Sequence, residues 1–247
     1  MASPAALTLT QFNTMRSSFQ SHYFLANCGT TFGGQDLQIS WSSLNTAVQN
    51  FINATGASSS TIALRFVICY DTLNAALYLR MQICTMTATG DPYTFNLDTT
   101  NCAWYKIQGT TISSTTTTDL YDQTYLNNFY YCDTANCNPN SLVNLASDTG
   151  DTIFVRNLVF PWLQEVKQID ADNGNPQGCK VCFASISYAA GNPSPAVAYP
   201  HSIAIYMRTS AGVALLDDKS YAKDFQMKAG DLATTCPPNC NVYIYPH

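Results

Sequence analysis

Two stretches near the N-terminus repeat apolar residues every three to four positions, the spacing of one face of an α-helix. The first predicts a helix over residues 10–21 behind the capping hydroxyls of Thr8 and Thr10. The second predicts a helix that starts behind Ser42 and Ser43 and ends at Gly56. The apolar positions in question are Phe12, Met15 and Phe19, followed by Leu44, Ala47, Val48, Phe51 and Ile52.

The period then changes from helical spacing to alternation, which is typical of β-strands. Residues 62–70 and 77–83 alternate in this way, and the short connection at 71–74 predicts an antiparallel hairpin. Both faces of the hairpin are rich in apolar groups. We therefore expect it to occupy a central position, covered on one side by the N-terminal helices and on the other by later chain.

Further elements are predicted downstream of residue 150. They are a strand over 152–160, a helix with Pro161 in its first turn that stops before Asn173, strands over 181–189 and 202–208, and an extended piece over 242–245. Together the patterns predict an α+β fold: a mainly antiparallel β-sheet with two N-terminal helices and one or two further short helices.

The segment at about 85–150 differs in composition, being rich in Thr, Asn and Tyr. Its aromatic content is too high for a flexible linker. We therefore predict one domain spanning residues 1–247, with this segment as an ordered insertion that carries a short helix near 119–130 and makes outward contacts.

Charge is scarce in this chain. Of 247 residues, 46% are hydrophobic and 11% are charged, where about 25% is ordinary. The net charge is −5 and the basic residues are scattered from Arg16 to Lys228, which argues against a nucleic-acid partner. No apolar run approaches the length of a membrane span. Residues 1–10 lack the features of a secretory signal, so we expect a protein that is cytoplasmic as synthesised and is released or exported, if at all, as an assembly.

Low charge combined with many aromatic residues is typical of buried interfaces. We therefore predict a structural subunit that assembles with copies of itself into a filament, tube, coat or lattice, using sheet edges and polar or aromatic surfaces. Two alternatives stay open. An extracellular binding or adhesion module would have the same composition with its cysteines paired, and an enzyme would need a cleft lined with ionisable groups.

Ten cysteines are present, and their closest groupings favour one candidate metal site. Four thiolates from Cys179, Cys182, Cys236 and Cys240 could hold a structural zinc ion, and no other cofactor is expected. A disulfide between Cys236 and Cys240 is an alternative. Cys182 is also in phase with Ala184 on a strand, which is the pattern of a core thiol.

Three weaker patterns carry alternative explanations. Asp148-Thr-Gly150 matches the aspartic-protease triplet but occurs once, and a turn over residues 147–151 is the commoner explanation. Residues 170–175 resemble a calcium loop, although a helix end accounts for the same residues. Among three histidines, His201 is the one placed to act as a base, with a structural role as the alternative.

The C-terminal sequence Gly230-Asp-Leu followed by Cys236-Pro-Pro-Asn-Cys240 resembles the ending of a group of small bacterial proteins of Bacteroidetes type that carry a CPPxC motif. The likeness extends to the two N-terminal helices and the strand from Ile62 to Phe66, and so covers about the first 85 residues and the last dozen. This chain departs from the pattern by inserting Ala233-Thr-Thr before Cys236. No function is attached to that group, so the resemblance implies a bacterial source and no activity.

Overall fold

The computed structural model describes residues 6–7, 10, 12–14, 17, 37–71, 76–88, 94–115, 158–174, 177–187, 201–212, 214–215, 220–222 and 242–244. These residues form two antiparallel sheets and a few short helices, which confirms the α+β fold.

The first sheet has the strand order β1-β11-β9-β8-β2, with β10 also pairing with β9. Its strands are β1 (Ala6–Leu7), β2 (Leu37–Ser40), β8 (Lys180–Ser187), β9 (His201–Arg208), β10 (Ala214–Leu215) and β11 (Ser220–Ala222).

The second sheet has the order β12-β5-β4-β3-β7, with β6 also pairing with β5. Its strands are β3 (Ile62–Asp71), β4 (Ala76–Ala88), β5 (Thr94–Gln108), β6 (Thr111–Ser114), β7 (Leu158–Pro161) and β12 (Val242–Ile244). The predicted hairpin is confirmed as β3 and β4, which are central in this sheet and pair from Ile62 with Thr85 to Asp71 with Ala76.

Helix α1 (Trp41–Thr55) is the second predicted helix. Its N-cap is Ser40, two residues before the expected hydroxyls, and the Ser43 N–H donates to Ser40 Oγ at 3.0 Å. Gly56 ends the helix with a φ of 69°, a left-handed conformation that favours glycine. Of the first predicted helix, Thr10, residues 12–14 and Ser17 are described, and all are helical.

The inner faces of both sheets and α1 bury their apolar side chains in one core. Phe66 of β3 joins the sheets, with its ring centroid 5.3 Å from that of Phe183 in β8 and 5.8 Å from that of Phe160 in β7. Helix α1 contributes to the core that the hairpin also lines, and it contacts β2 of the first sheet. Phe12 packs edge-on against Tyr206 of β9, with centroids 5.3 Å apart, so it contacts the first sheet, whereas the sequence predicts that both N-terminal helices cover the hairpin.

Part of the expected insertion at 85–150 belongs to the second sheet. Residues 94–108 and 111–114 are its strands β5 and β6, and β5 pairs along most of β4. Their hydroxyl-rich composition suits strands because threonine is β-branched. Residues 116–150, including the predicted helix near 119–130, lie outside the described residues.

The predicted helix after Pro161 starts one residue later than expected. Pro161 is the last residue of β7, followed by a π-helical turn (Trp162–Val166) and by helix α2 (Lys167–Asp172). The helix stops where predicted, since Gly174 adopts a φ of 77° just beyond it. None of the described helices combines the length and apolar character that a bilayer crossing requires.

Candidate functional site

The predicted thiolate site depends on Cys179 and Cys182 lying close together. Cys179 is buried in the shared core together with Val181 and Phe183. Cys182 is also buried, but it is paired with Tyr206 and lies outside that core, because residues three apart on a strand face opposite sides. The structure therefore does not bring these two thiols together. Cys236 and Cys240 lie outside the described residues, so the four-cysteine zinc site stays a prediction.

The residues of the possible calcium loop end a helix. Asp170 is buried in α2, where its Oδ2 lies 3.4 Å from Lys167 Nζ. Asn173 donates through Nδ2 to the carbonyl of Ile169 at 2.8 Å, and the same carbonyl accepts the Asn173 backbone N–H at 3.1 Å, so the asparagine closes the helix end. In the described part of the chain, no three His, Cys, Asp or Glu side chains come close enough to hold a metal ion.

A second group of polar and aromatic residues ties α1 to α2. Trp41 stacks on Trp162 with centroids 5.5 Å apart and planes inclined by 16°, and Lys167 Nζ lies 5.4 Å from the centre of the Trp41 ring. The backbone N–H of Trp41 donates to the backbone carbonyl of Cys179 at 3.1 Å. Burial, and secondarily the negative charge of Asp170, raises the pKa of the Cys179 thiol. This thiol is therefore protonated at neutral pH, as expected of a structural cysteine.

His201 is the first residue of β9 and is paired with Ser187 at the end of β8. The triplet at 148–150 and the other two histidines lie outside the described residues, so neither the protease hypothesis nor a histidine base is tested.

The outermost strands of both sheets share a property that bears on association. Natural proteins protect strand edges with charged side chains, proline or bulges, because an open edge can pair with another chain. Here the edge strands β1, β2, β6, β7 and β12 contain no Asp, Glu, Lys or Arg. The charged residues of the sheets lie instead on β3, β4, β5, β8 and β9.

The edge of β2 is partly covered, since the Gln38 N–H donates to the Gly109 carbonyl in the β5–β6 turn at 3.1 Å. Strand β6 also lies close to β2, but among the described strands it pairs with β5 alone, and Thr111, Ser113 and Ser114 are exposed.

The outward backbone groups of β6 follow from its pairing with β5. The Thr115 N–H donates to the Trp104 carbonyl at 2.9 Å, which fixes the phase of the hydrogen-bonded pairs. Ser113, the partner of Lys106, is then in a hydrogen-bonded pair. Ile112 and Ser114 are in the alternate pairs, so their N–H and C=O groups point away from β5. These groups are therefore not used in the pairing of β6 with β5.

The face of the second sheet turned away from the shared core carries a buried polar group, which we call the Arg65 cluster: Arg65, Arg80, Gln82, Cys84 and Cys102. Arg65, Arg80 and Gln82 expose 3%, 6% and 0% of their surface, although burial of a guanidinium is costly unless it is paired. Arg65 donates through Nη1 to Gln82 Oε1 at 3.3 Å, and Gln82 donates through Nε2 to Cys102 Sγ at 2.9 Å.

Within the Arg65 cluster the two thiols have different surroundings. Cys84 is fully buried and Cys102 is half-buried. Burial raises the pKa of Cys84 from 9.0 to about 12, with Arg65 opposing the shift and Cys102 and Asp98 adding to it. Sequence alternation places Arg65, Arg80 and Gln82 in the polar phase of the hairpin, but it does not predict that they are buried or that Cys102 joins them. The one indication of this burial in the sequence is that the three polar residues share a face of two strands that we expect to be central.

Asp98 lies at one end of an irregular segment of β5, next to the Arg65 cluster. Pairing with β4 changes register between Ile83 and Thr85, whose partners are Ala103 and Asp98. The Asp98 carboxylate accepts the N–H groups of Thr100 and Asn101 at 2.9 and 3.3 Å, and these bonds lower its pKa. The carboxylate thus stabilises the bulge in β5 that lies between Asp98 and Ala103 and that contains Cys102.

Comparison with known proteins supplies no relative: no family model, no curated protein and no solved structure matches this chain. The resemblance to small bacterial proteins with a CPPxC ending therefore stays a prediction.

Proposed function

We propose that this protein is a structural subunit that assembles with copies of itself through the edges of its sheets, into a filament, tube, coat or lattice. The observation that carries the proposal is the absence of charge from β1, β2, β6, β7 and β12 among the described strands. Charge is one of the features by which monomers prevent edge-to-edge pairing, and neutral edges favour contact between copies.

Strand β6 supports the proposal most directly. It is short and neutral, and Thr111, Ser113 and Ser114 are exposed. The backbone groups of Ile112 and Ser114 are directed outward, so a strand from a second copy can extend the sheet by main-chain hydrogen bonds. Because Thr and Ser side chains carry no charge, two such edges approach without repulsion.

The composition of the whole chain agrees with this role. Only 11% of the residues are charged, and aromatic residues make up 12%. Interface cores are depleted in charge and enriched in aromatic residues, and surfaces covered by neighbouring copies do not need the charge that keeps a monomer soluble.

The β6 edge is tested by Ser114→Pro. Proline removes the outward N–H of residue 114, while the bonds from β6 to β5 run through the alternate residues and are retained. We expect the variant to fold, as judged by circular dichroism, and to form fewer or shorter assemblies in negative-stain electron microscopy. Ser113→Lys should have the same effect by placing charge at the edge.

Gln49→Lys is the matched control, since it adds the same charge on the exposed side of α1, away from every strand edge. It should assemble like the unmodified protein. Assemblies of unchanged form and number in both β6 variants would show that β6 is not a contact between copies.

A further inference from the structure

The two cysteines of the Arg65 cluster lie on adjacent strands at the point where the pairing changes register. Ile83 of β4 is paired with Ala103 of β5, so the residues next to them on the polar side are Cys84 and Cys102. Cys102 packs against the small apolar cluster that contains Cys84, Met86 and Leu97. In the structure both side chains are thiols, and neither is in a disulfide.

The backbone geometry suits a bond between these thiols. Since Trp104 directs its carbonyl to Thr115, residues 104 and 106 of β5 turn their backbone groups toward β6, and residues 103 and 105 turn theirs toward β4. Cys102 and Cys84 each lie next to the Ile83–Ala103 pair, where the β4–β5 pairing is interrupted, on neighbouring strands, which are about 4.7–4.9 Å apart in a sheet. Disulfides require Cα atoms about 4.4–6.8 Å apart.

The surroundings make the two thiols unequal. Cys102 is half-buried and receives the Gln82 Nε2–H at 2.9 Å, while Gln82 Oε1 accepts from the Arg65 guanidinium. The Gln82 side chain therefore links Arg65 to Cys102 and fixes the position of the Cys102 sulfur. Cys84 is fully buried, and its thiol donates to the Ala63 carbonyl at 3.8 Å.

We propose that Cys84 and Cys102 form a redox-responsive pair: Cys102 attacks a low-molecular-weight disulfide, and Cys84 then closes a disulfide across β4 and β5. In the first step the Cys102 thiolate forms a mixed disulfide and releases one thiolate of the reagent. In the second step the Cys84 sulfur attacks Cys102 Sγ, which expels the other half of the reagent as a thiolate, and this departing thiolate takes up the Cys84 proton. Two protein thiols are oxidised by two electrons, and one reagent disulfide is reduced to two thiols.

The order of the steps follows from exposure. Reagents reach the half-buried Cys102 more readily than Cys84, and burial raises the pKa of Cys84, which keeps that thiol protonated until its neighbour has reacted. The inference is independent of the proposed assembly, because both thiols belong to one copy of the chain.

The test is to reduce the full chain, remove the reductant, incubate it with oxidised glutathione, alkylate the remaining thiols and map the peptides by mass spectrometry. We expect a peptide linked through Cys84 and Cys102, with Cys179 still reduced. In Cys84→Ala, and equally in Cys84→Ser, a glutathione adduct should accumulate at Cys102. In Cys102→Ala, Cys84 should remain a thiol.

The role of Gln82 is tested by the rate of the first step. Gln82→Leu removes the donor to Cys102, and we expect adduct formation to slow by about fivefold to tenfold. Gln38→Leu makes the same change in the first sheet and should leave the rate unchanged. The proposal is overturned if Cys102 stays reduced while other cysteines react, if it is joined to a different cysteine, or if Cys84 forms the adduct in Cys102→Ala.

Discussion

Phe66 is the residue on which the packing of the two sheets depends most. Its side chain is fully buried, and its ring contacts those of Phe160 and Phe183. Phe66→Ala leaves a cavity between the sheets, and we expect it to lower the free energy of unfolding by about 3–5 kcal/mol. Leu163, which is 41% exposed, provides the control.

Denaturant unfolding measures both variants. Leu163→Ala should change stability by less than about 1 kcal/mol, because little apolar surface is lost from the core. A similar small loss for Phe66→Ala would show that the sheets do not share the core described above.

Cys84 sets a limit on stability at alkaline pH. In the unfolded chain its thiol ionises near 9.0, but in the folded protein its pKa is about 12. Between these values the unfolded state releases a proton that the folded state retains, so stability is fully present below pH 9.0 and falls as pH rises toward 12. The burial that raises the pKa of Tyr105 acts in the same direction.

The contribution of Cys84 is isolated by Cys84→Ala. Relative to this variant, the unmodified protein should lose on the order of 2 kcal/mol of additional stability between about pH 8 and about pH 11, measured by urea unfolding at each pH. An equal loss in both proteins would show that the Cys84 thiol is not buried in the folded state.

Helix α1 shows what local sequence determines at the scale of an element. Its apolar spacing and its end at Gly56 were predictable, because both depend on residues within the helix. The N-cap was displaced to Ser40 because three serines compete in this stretch, and the choice between them depends on where β2 ends.

The cap is tested by Ser40→Ala. Loss of the Ser40 Oγ acceptor leaves the Ser43 N–H without its partner, and we expect stability to fall by about 1 kcal/mol in thermal or denaturant unfolding. Thr46→Ala removes a hydroxyl from the exposed middle of the same helix and should be neutral or slightly stabilising. Equal effects of the two changes would contradict the assignment of Ser40 as the cap.

Strands were predictable where side chains alternate, as in β3, β4, β8 and β9. The polar composition of β5 and β6 resembles that of a loop and predicts an insertion, but the pairing of β5 with β4 and of β6 with β5 stabilises both as strands. The Arg65 cluster is likewise not predictable from the sequence pattern. Its burial depends on tertiary contacts, which local alternation does not encode.

At the scale of the whole molecule, the structure shows where two features of the sequence lie: the scarce charged residues and the cysteines. The scarcity of charge becomes a set of neutral edge strands, with the charged residues of the sheets on interior strands such as β3 and β4. Of the four cysteines whose surroundings the structure describes, Cys179 lies in the shared core, Cys182 lies on the first sheet outside that core, and Cys84 and Cys102 lie on the polar face of the second sheet. Composition indicated both features, but the strand order was needed to place them.

The most direct test of the proposed function is the mass of the purified, reduced protein in solution, measured by light scattering over a series of concentrations. We predict species far above the 27.0 kDa of one chain, with a mass that rises with concentration and falls in Ser114→Pro. A constant mass of 27.0 kDa at every concentration would contradict self-assembly through the sheet edges.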